Sequence, residues 1–200
     1  MHFVQWPKID ELEINEVTKV LKSGKLNFWT GSNSINFEKE FRDYFNLNYC
    51  STIANGSLAL DCAMSAINLK KGDEVIVTPR SYMASVSCII NAGAKPIFAD
   101  IDINSHNITS KTIEPKITKK TKAIICVHIA GYPTDVDKIK KLANKNKLFL
   151  IEDCSQAHGA KIKDKYVGSF GDISVWSFCN DKIISTGGEC GMISAKNKKL

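Results

Sequence analysis

The alternation of hydrophobic and polar positions has two different periods along the chain. In the segment INFEKEFRDYF the apolar residues recur at helical spacing, so that Phe37, Phe41, Tyr44 and Phe45 share one face of a predicted helix. Short apolar runs rich in β-branched residues instead predict buried strands at EVIVTP, KPIFAD, KAIICVH and LFLIED. Helices are predicted between these strands near 84–92, 110–117 and 135–146. This βαβ rhythm predicts an α/β fold with a largely parallel sheet.

Other local signals extend this pattern toward both ends of the chain. Asp10 and Glu13 have the spacing of a capping box that opens a helix, and Gly24 is placed to end it. After Asn55, the segment GSLALDCAMSAI predicts a buried helix. Beyond Asp153 we expect a hairpin or exposed loop at GAKIKDKYVGS, a strand at ISVWSF, and a glycine-rich turn entering another strand at STGGECGMISA.

Composition places the chain among folded, non-membrane proteins. Its 200 residues with 44% hydrophobic content are enough to form a core. The most apolar stretch, 83–94, contains Ser85, Ser87 and Asn91 and is too short to cross a bilayer. The start, MHFVQWPKID, lacks the basic and apolar regions of a secretory signal, so we expect a cytoplasmic protein without a membrane partner.

Cysteines and charge add little further chemistry. The seven cysteines include no C-x-x-C pair, and their apolar surroundings predict small buried thiols in a reducing compartment. The formal net charge of +6 could suggest a nucleic-acid partner. However, the lysines are spread over the chain. In DKIKKLANKNK they lie opposite one apolar helical stripe, formed by Val136, Ile139, Leu142 and Ala143. We therefore predict a solvated face and no nucleic-acid partner.

Polar residues that directly follow the strand-like runs are candidates for a binding site, because parallel α/β sheets bind ligands at the carboxyl ends of their strands. In IANGSLAL, Gly56 and Ser57 open a helix whose free N–H groups and dipole attract a phosphate, although an ordinary N-cap explains them equally well. In VTPRSYMAS, Tyr82 offers a flat ring that can stack on a ligand. A lone tyrosine is more often part of the core or its rim.

Two further candidates are charged. In LFLIEDCSQAHGA, Asp153 follows a buried run, where a carboxylate needs a cation such as a protonated ring nitrogen, or else caps the next segment. In SFCNDKIISTGGE, Lys182 follows a strand; a desolvated lysine loses its proton readily and forms a Schiff base with a carbonyl, although a lone lysine is normally a surface residue. Together the four candidates form the set that a pyridoxal 5′-phosphate (PLP) enzyme needs: phosphate cup, stacking aromatic, acid and lysine.

The same segments carry a family resemblance. NGSLAL, GDEVIVTPRSYMAS, AKPIFADID, KAIICVHIAGYPTD, IEDCSQAHGA, GSFGDISVWSF and DKIISTGGECGM resemble successive blocks of the DegT/DnrJ/EryC1/StrS aminotransferases, PLP enzymes of fold type I that aminate keto-sugars. The match runs from Trp6 to the last residue. The resemblance implies a truncated fold type I large domain, with a mixed, mostly parallel sheet and flanking helices. Residues 1–200 would form this incomplete PLP-binding domain, without the C-terminal small domain.

The resemblance also implies roles around the cofactor ring. Lys182 would hold PLP as an internal aldimine and then shuttle a proton between the Cα of the amino donor and C4′ of the cofactor. Asp153 would pair with the pyridinium nitrogen and keep it protonated. Gln156 would hydrogen-bond the ring O3′, and Tyr82 would stack on one face of the ring.

The phosphate is assigned to three residues by the same resemblance. Gly56 and Ser57 would hold it together with Ser177, which lies five residues before Lys182 in the S-x₄-K spacing of the family. His158 either lines the site or makes structural hydrogen bonds.

The chain departs from the family pattern at two places. Where the family has G-E-G-G, this chain has Gly188, Glu189, Cys190 and Gly191, so a side chain is added to the turn. If that position needs a positive φ, a residue other than glycine costs about 1 kcal/mol. The larger departure is in length: a family member usually also contains a C-terminal half, which we expect to be absent here, and this counts against activity of the fragment alone.

The implied reaction is a two-step transamination for amino-sugar or cell-surface polysaccharide biosynthesis. An amino acid, with glutamate as the expected donor, loads the cofactor with an amino group that is then passed to a nucleotide-linked keto-sugar. The resemblance also implies a homodimer with shared active sites, to which the segment Trp29, Thr30 and Gly31 would contribute from the neighbouring subunit.

Several alternatives remain. Some relatives are sugar dehydratases in which histidine replaces the Schiff-base lysine, but Lys182 is present here. A truncated, inactive remnant or a dimerisation module is another alternative. A nicotinamide enzyme is disfavoured because no G-x-G-x-x-G follows a strand. We predict no metal site, since the four histidines lie far apart without ligand-like spacing.

Overall fold

The computed structural model describes residues 6–200; residues 1–5, on which part of the secretory-signal prediction rests, lie outside the described residues. The helices are α1 (Glu11–Ser23), α2 (Asn33–Phe45), α3 (Gly56–Ala66), α4 (Ala84–Asn91), α5 (Ser110–Ile113) and α6 (Val136–Lys145). The strands are β1 (Tyr49–Ile53), β2 (Glu74–Val77), β3 (Lys95–Phe98), β4 (Thr121–Val127), β5 (Phe149–Asp153), β6 (Lys161–Ile162), β7 (Lys165–Tyr166), β8 (Ile173–Ser177) and β9 (Gly191–Ala195). Two 3₁₀ turns cover Glu114–Lys116 and Ile129–Gly131.

Seven strands form the main sheet, in the order β1-β9-β8-β5-β4-β2-β3. Neighbouring strands from β8 across to β3 are parallel, whereas β9 runs antiparallel to both β8 and β1. The predicted mixed, mostly parallel sheet with flanking helices is confirmed. Because the parallel strands share one direction, the residues that follow β2, β4, β5 and β8 all emerge at the same edge of the sheet.

Helix α1 begins and ends where its local sequence predicts, whereas the helix predicted near 110–117 is α-helical only over Ser110–Ile113. The Asp10 side chain accepts a hydrogen bond from the Glu13 N–H, and the Glu13 carboxylate accepts one from the Asp10 N–H. This capping box satisfies two backbone donors, and Gly24 ends α1 with φ of 68°. The predicted apolar stripe of α6 is confirmed, since its four residues are all buried.

The core lies on both faces of the sheet. Helices α3 and α4 cover one face, where Leu60, Met64 and Ile89 pack on the strands. The other face is covered by α6 and α2, and around α2 the rings of Phe41 and Trp176 pack at a centroid distance of 5.0 Å. Each fully buried aliphatic or aromatic side chain stabilises the fold by about 1.5–3 kcal/mol. The two layers therefore hold the strand ends in fixed positions.

Several local predictions were wrong. Tyr44 does not share the buried face of α2; its ring is 63% exposed and lies beside Tyr166. The strand β3 is at the edge of the sheet and only half-buried. Strand β1 was not predicted, because its alternation of side chains is weak and it contacts only one neighbour, β9.

The cysteine prediction is only partly confirmed. All seven are free thiols, but only Cys88, Cys126 and Cys154 are buried, and Cys62 is exposed. Within residues 6–200, no helix combines the length and the apolar character needed to cross a membrane. The predicted hairpin is present as β6 and β7.

Candidate functional site

A cavity of about 340 Å³ opens at the carboxyl edge of the sheet. All seven residues predicted to hold the cofactor line it: Gly56, Ser57, Tyr82, Asp153, Gln156, Ser177 and Lys182. They come from distant parts of the sequence, and the strand ends bring them together. Further lining residues that sequence reasoning did not select include Asn55, Ser81, Ser155, Cys179, Asp181 and Glu189.

One wall of the cavity is the N-terminus of α3. Asn55 is the N-cap, and its side chain accepts a hydrogen bond from the Leu58 N–H at 2.9 Å. The N–H groups of Gly56 and Ser57 have no acceptor among residues 6–200, as is usual in a first helical turn. Both an N-cap and free donors are therefore present, and the free donors suit an anion.

Two glycines allow this helix to approach the sheet closely. A Cβ on Gly56 would lie 2.7 Å from Cβ of Ser177, and one on Gly191 would lie 2.5 Å from the carbonyl carbon of Asn55. Both distances are shorter than any real Cβ contact. Glycine is therefore required at these positions because of space, and the close approach sets Ser177 beside the free N–H groups of α3.

Asp153 lies at the end of β5 and is only 6% exposed. Its Oδ1 accepts a hydrogen bond from the Ser155 N–H at 3.1 Å, so it does cap the following segment. Within the described part of the chain, no salt bridge joins it to a lysine, arginine or histidine. A buried carboxylate without a cation favours a ligand that brings one.

Gln156 is held by the turn that follows β4. Its Oε1 accepts a hydrogen bond from the Ala130 N–H at 2.7 Å. Because a backbone N–H can only donate, the atom facing Ala130 must be the amide oxygen, and the side-chain NH₂ group is left to donate to a ligand. Ala130 has φ of 51°, an uncommon value for alanine that turns its N–H toward Gln156.

Lys182 lies in the loop between β8 and β9. Its Nζ forms an ion pair with Oδ2 of Asp181 at 2.9 Å, and its side chain is 20% exposed. The hydrogen bond from Lys182 lowers the pKa of Asp181. The adjacent Asp181 therefore supplies a counter-charge that the idea of a desolvated lysine did not include.

Two aromatic side chains near the cavity differ in burial. Tyr82 is 71% exposed at the rim, so it does not belong to the core. Both ring nitrogens of His158 are buried and have no hydrogen-bond partner among residues 6–200. Burial lowers the pKa of His158 to about 4, against a smaller opposing contribution from the Ser177 backbone.

Cys190 causes no backbone strain. It is not among the described residues that have positive φ, whereas Gly187 and Gly188 before it have φ of 81° and 152°. The Cys190 side chain is half-buried beside the aromatic cluster of α2 and β8, and burial raises the pKa of its thiol. The family glycine can therefore be replaced here without the predicted strain.

A buried polar cluster below the cavity was not expected from the spacing of the histidines. His128, Glu152 and Cys154 place their ligand atoms within 4.8 Å of one another. However, Nδ1 of His128 accepts from the Thr134 N–H at 3.1 Å, and its Nε2 therefore carries the proton and donates to Glu152 at 3.1 Å. The ring nitrogens of His128 and the carboxylate of Glu152 are thus already hydrogen-bonded to protein groups, which argues for a structural cluster and against a metal site.

Glu152 is the centre of that cluster. It also accepts hydrogen bonds from the N–H groups of Gly168, Phe170 and Gly171. Burial would raise the pKa of Glu152, but the hydrogen bonds from His128 and from the backbone outweigh it and lower the pKa. Glu152 thereby fixes β5 next to Asp153.

Comparison with known proteins finds relatives both by sequence and by structure. The chain is 48% identical over 164 residues to the GDP-perosamine synthase of Escherichia coli O157:H7, covering 82% of this chain and 45% of the synthase. The aminotransferase from Psychrobacter cryohalolentis is similar in structure, with a TM-score of 0.97 at 47% identity over 99% of this chain and 50% of its own. NtdA from Bacillus subtilis with bound cofactor PMP gives a TM-score of 0.88 at 30% identity, over 98% and 46% of the two chains.

These matches extend over nearly all of the chain but not over all of its relatives. The chain spans about half the length of the curated relatives it matches. Residues 7–200 match the family model described as the DegT/DnrJ/EryC1/StrS aminotransferase family. The chain belongs to the DegT/DnrJ/EryC1/StrS aminotransferase family.

Proposed function

We propose that the cavity binds PLP and that the protein transfers an amino group from an amino acid to a nucleotide-linked keto-sugar. The observation that carries this proposal is the convergence of the seven predicted residues on one cavity at the carboxyl edge of the sheet. Chance placement of residues from four separate segments is a poor explanation for a complete cofactor set.

The chemical groups around the cavity suit the parts of PLP. The free N–H groups of Gly56 and Ser57 and the hydroxyl of Ser177 suit a phosphate. The buried Asp153 carboxylate suits a protonated ring nitrogen, and the free NH₂ group of Gln156 suits a phenolic oxygen. The NtdA neighbour, with bound cofactor PMP, supports the same assignment.

The roles of the residues follow from their surroundings. When bound, PLP supplies an electron sink for the bond between Cα and hydrogen of the amino donor. Lys182 would hold the cofactor covalently, and its amine, once released, would move the proton from Cα. For this, Nζ must leave Asp181 and turn into the cavity. Asp153 would keep the ring nitrogen protonated, and Tyr82 would cover one ring face.

The relatives support the substrate class. They include GDP-perosamine synthase, a dTDP-amino-sugar transaminase and a UDP-sugar 3-aminotransferase, each named for a nucleotide-linked sugar. We extend this class to the present chain, with glutamate as the donor and a role in amino-sugar or polysaccharide biosynthesis in the cytoplasm. The working unit would be a homodimer, in which the 89%-exposed Trp29 reaches the neighbouring subunit.

A single-turnover assay tests the reaction. The PLP-loaded chain is mixed with L-glutamate, and 2-oxoglutarate is measured by coupled oxidation of NADH. We expect one equivalent per occupied site in the wild type and none in Lys182→Ala. If the loaded wild type releases neither 2-oxoglutarate from glutamate nor the corresponding 2-oxo acid from other amino acids, the aminotransferase proposal is wrong for this chain, and the inactive-remnant alternative stands.

A further inference from the structure

A chain of two hydroxyl groups leads from the cavity wall to Asp153. Ser85 is completely buried in the first turn of α4. Its Oγ lies 3.3 Å from Oδ2 of Asp153 and 2.8 Å from Oγ of Ser81, which lines the cavity. The assignments made from the family resemblance include neither serine.

The hydrogen bonds in this chain have one direction. An ionised carboxylate can only accept, so Ser85 must donate its single proton to Asp153. Ser85 can then only accept from its other neighbour, and Ser81 must donate to Ser85. The proton of Ser81 is thereby used, and its remaining lone pair faces the cavity as an acceptor. The order of donors is Ser81, Ser85, Asp153.

The Asp153 carboxylate is consequently held at both oxygens. The Ser155 N–H binds Oδ1 at 3.1 Å, and the Ser85 hydroxyl binds Oδ2. Two donors on opposite oxygens prevent rotation of the carboxylate about its Cβ–Cγ bond. The segment from Ser81 to Ser85 also contains Tyr82, so the same hydroxyl chain links the rim aromatic to the buried acid.

We propose that Ser85 is a positioning residue that fixes the Asp153 carboxylate toward the cofactor ring nitrogen, and that Ser81 orients Ser85. This inference rests on the proposed function. Ser85 is the hydroxyl donor on Oδ2 of Asp153, at 3.3 Å, so its loss should release that oxygen and weaken the binding of PLP more than it affects the fold.

The test is a titration of the purified chain with PLP, followed by absorbance, for the wild type and four variants. We expect the Kd to rise about tenfold in Ser85→Ala, near the lower limit for a hydrogen bond to a charged group, and about threefold in Ser81→Ala, as for a hydrogen bond between neutral groups. Ser85→Thr keeps the hydroxyl and should bind PLP nearly as the wild type does. The matched control is Ser87→Ala, which removes a hydroxyl from the same helix without touching Asp153.

A pH titration separates positioning from a general structural effect. In Ser85→Ala, the midpoint of the pH-dependent absorbance change of bound PLP should shift, whereas Ser87→Ala should leave it unchanged. If Ser85→Ala melts at a lower temperature than the wild type, its fold is affected and the test moves to Ser81→Ala, which is changed at the cavity wall. The affinity for PLP and the pH midpoint of that variant then test the inference.

Two negative results have different meanings. Wild-type affinity and an unshifted midpoint in Ser85→Ala overturn the inference while leaving the proposed function intact. Failure of the folded wild type to bind PLP overturns the proposed function and this inference with it.

Discussion

Two walls of the cavity are built in different ways. The acid wall, formed by Asp153, Gln156 and the cluster of His128 and Glu152 beneath them, is tied to the rest of the protein by hydrogen bonds from other strands and turns. The lysine wall, residues 179–190, contains no buried residue. Among residues 6–200, the Nζ of Lys182 has one partner there, the carboxylate of its neighbour Asp181. The difference indicates that the fold fixes the acid wall in advance, whereas the lysine wall has room to rearrange around a ligand.

The largest expected effect on stability comes from removing the carboxylate of Glu152 at the base of the acid wall. Glu152→Ala leaves the buried His128 N–H and three backbone N–H groups without an acceptor, so we expect a loss of about 4 kcal/mol in the free energy of unfolding. Asp181→Ala removes the same charge from the lysine wall, where the side chain is largely exposed, and should cost less than about 1 kcal/mol. Urea unfolding measures both. Equal losses would contradict the contrast between the two walls.

A smaller effect is the pH dependence of stability that His158 causes. Burial lowers its pKa to about 4, so the folded protein resists a proton that the unfolded chain accepts near pH 6.5. The contribution of neutral His158 to the free energy of unfolding is complete above pH 6.5 and is lost as the pH falls toward 4. At pH 5 the free energy of unfolding is lower by about 2 kcal/mol for this reason. Glu152 acts in a separate, lower window, because its lowered pKa makes its contribution disappear only in stronger acid.

Comparison with His158→Gln isolates this contribution. The free energy of unfolding of the wild type should decrease by about 2 kcal/mol more than that of the variant between pH 7 and pH 5. A wild type and a variant with the same pH dependence would show that His158 is accessible to protons in the folded state.

The smallest effect is predicted at the end of the lysine wall. Cys190→Gly restores the family pattern but should lower the free energy of unfolding by about 1 kcal/mol, because it removes a half-buried side chain and adds backbone freedom. No strain is relieved, since Cys190 is not among the described residues with positive φ. A gain in stability, measured by urea unfolding, would mean that the loop is strained after all.

The sequence predicted those features that depend on local pattern. Buried apolar runs in the sequence predict the strands β2, β4, β5 and β8. The residues that follow these strands converge because the carboxyl ends of parallel strands lie at one edge of the sheet. Ser85 was missed because its importance depends on a contact with Asp153, 68 residues away. His128 was missed for the same reason, since its partner Glu152 lies on the adjacent strand.

Edge positions were predicted least well. The pairing of β1 with β9 depends on residues 138 or more apart in the sequence, and its side chains alternate only between exposed and half-buried. Tyr44 has helical spacing with its phenylalanine neighbours but lies just beyond the buried stripe. Only the packed structure decides which residue at the border of a stripe is covered.

The most direct test of the central claim is to locate the cofactor on the chain. PLP-loaded protein is reduced with borohydride, digested, and analysed by mass spectrometry, in parallel with Lys182→Ala. We predict one pyridoxyl group per chain on Lys182 in the wild type. The variant should carry no covalent label but should still bind PLP reversibly, because its acid wall is intact. A label spread over other lysines, or none on the folded wild type, would contradict the assignment of Lys182 and of the cavity.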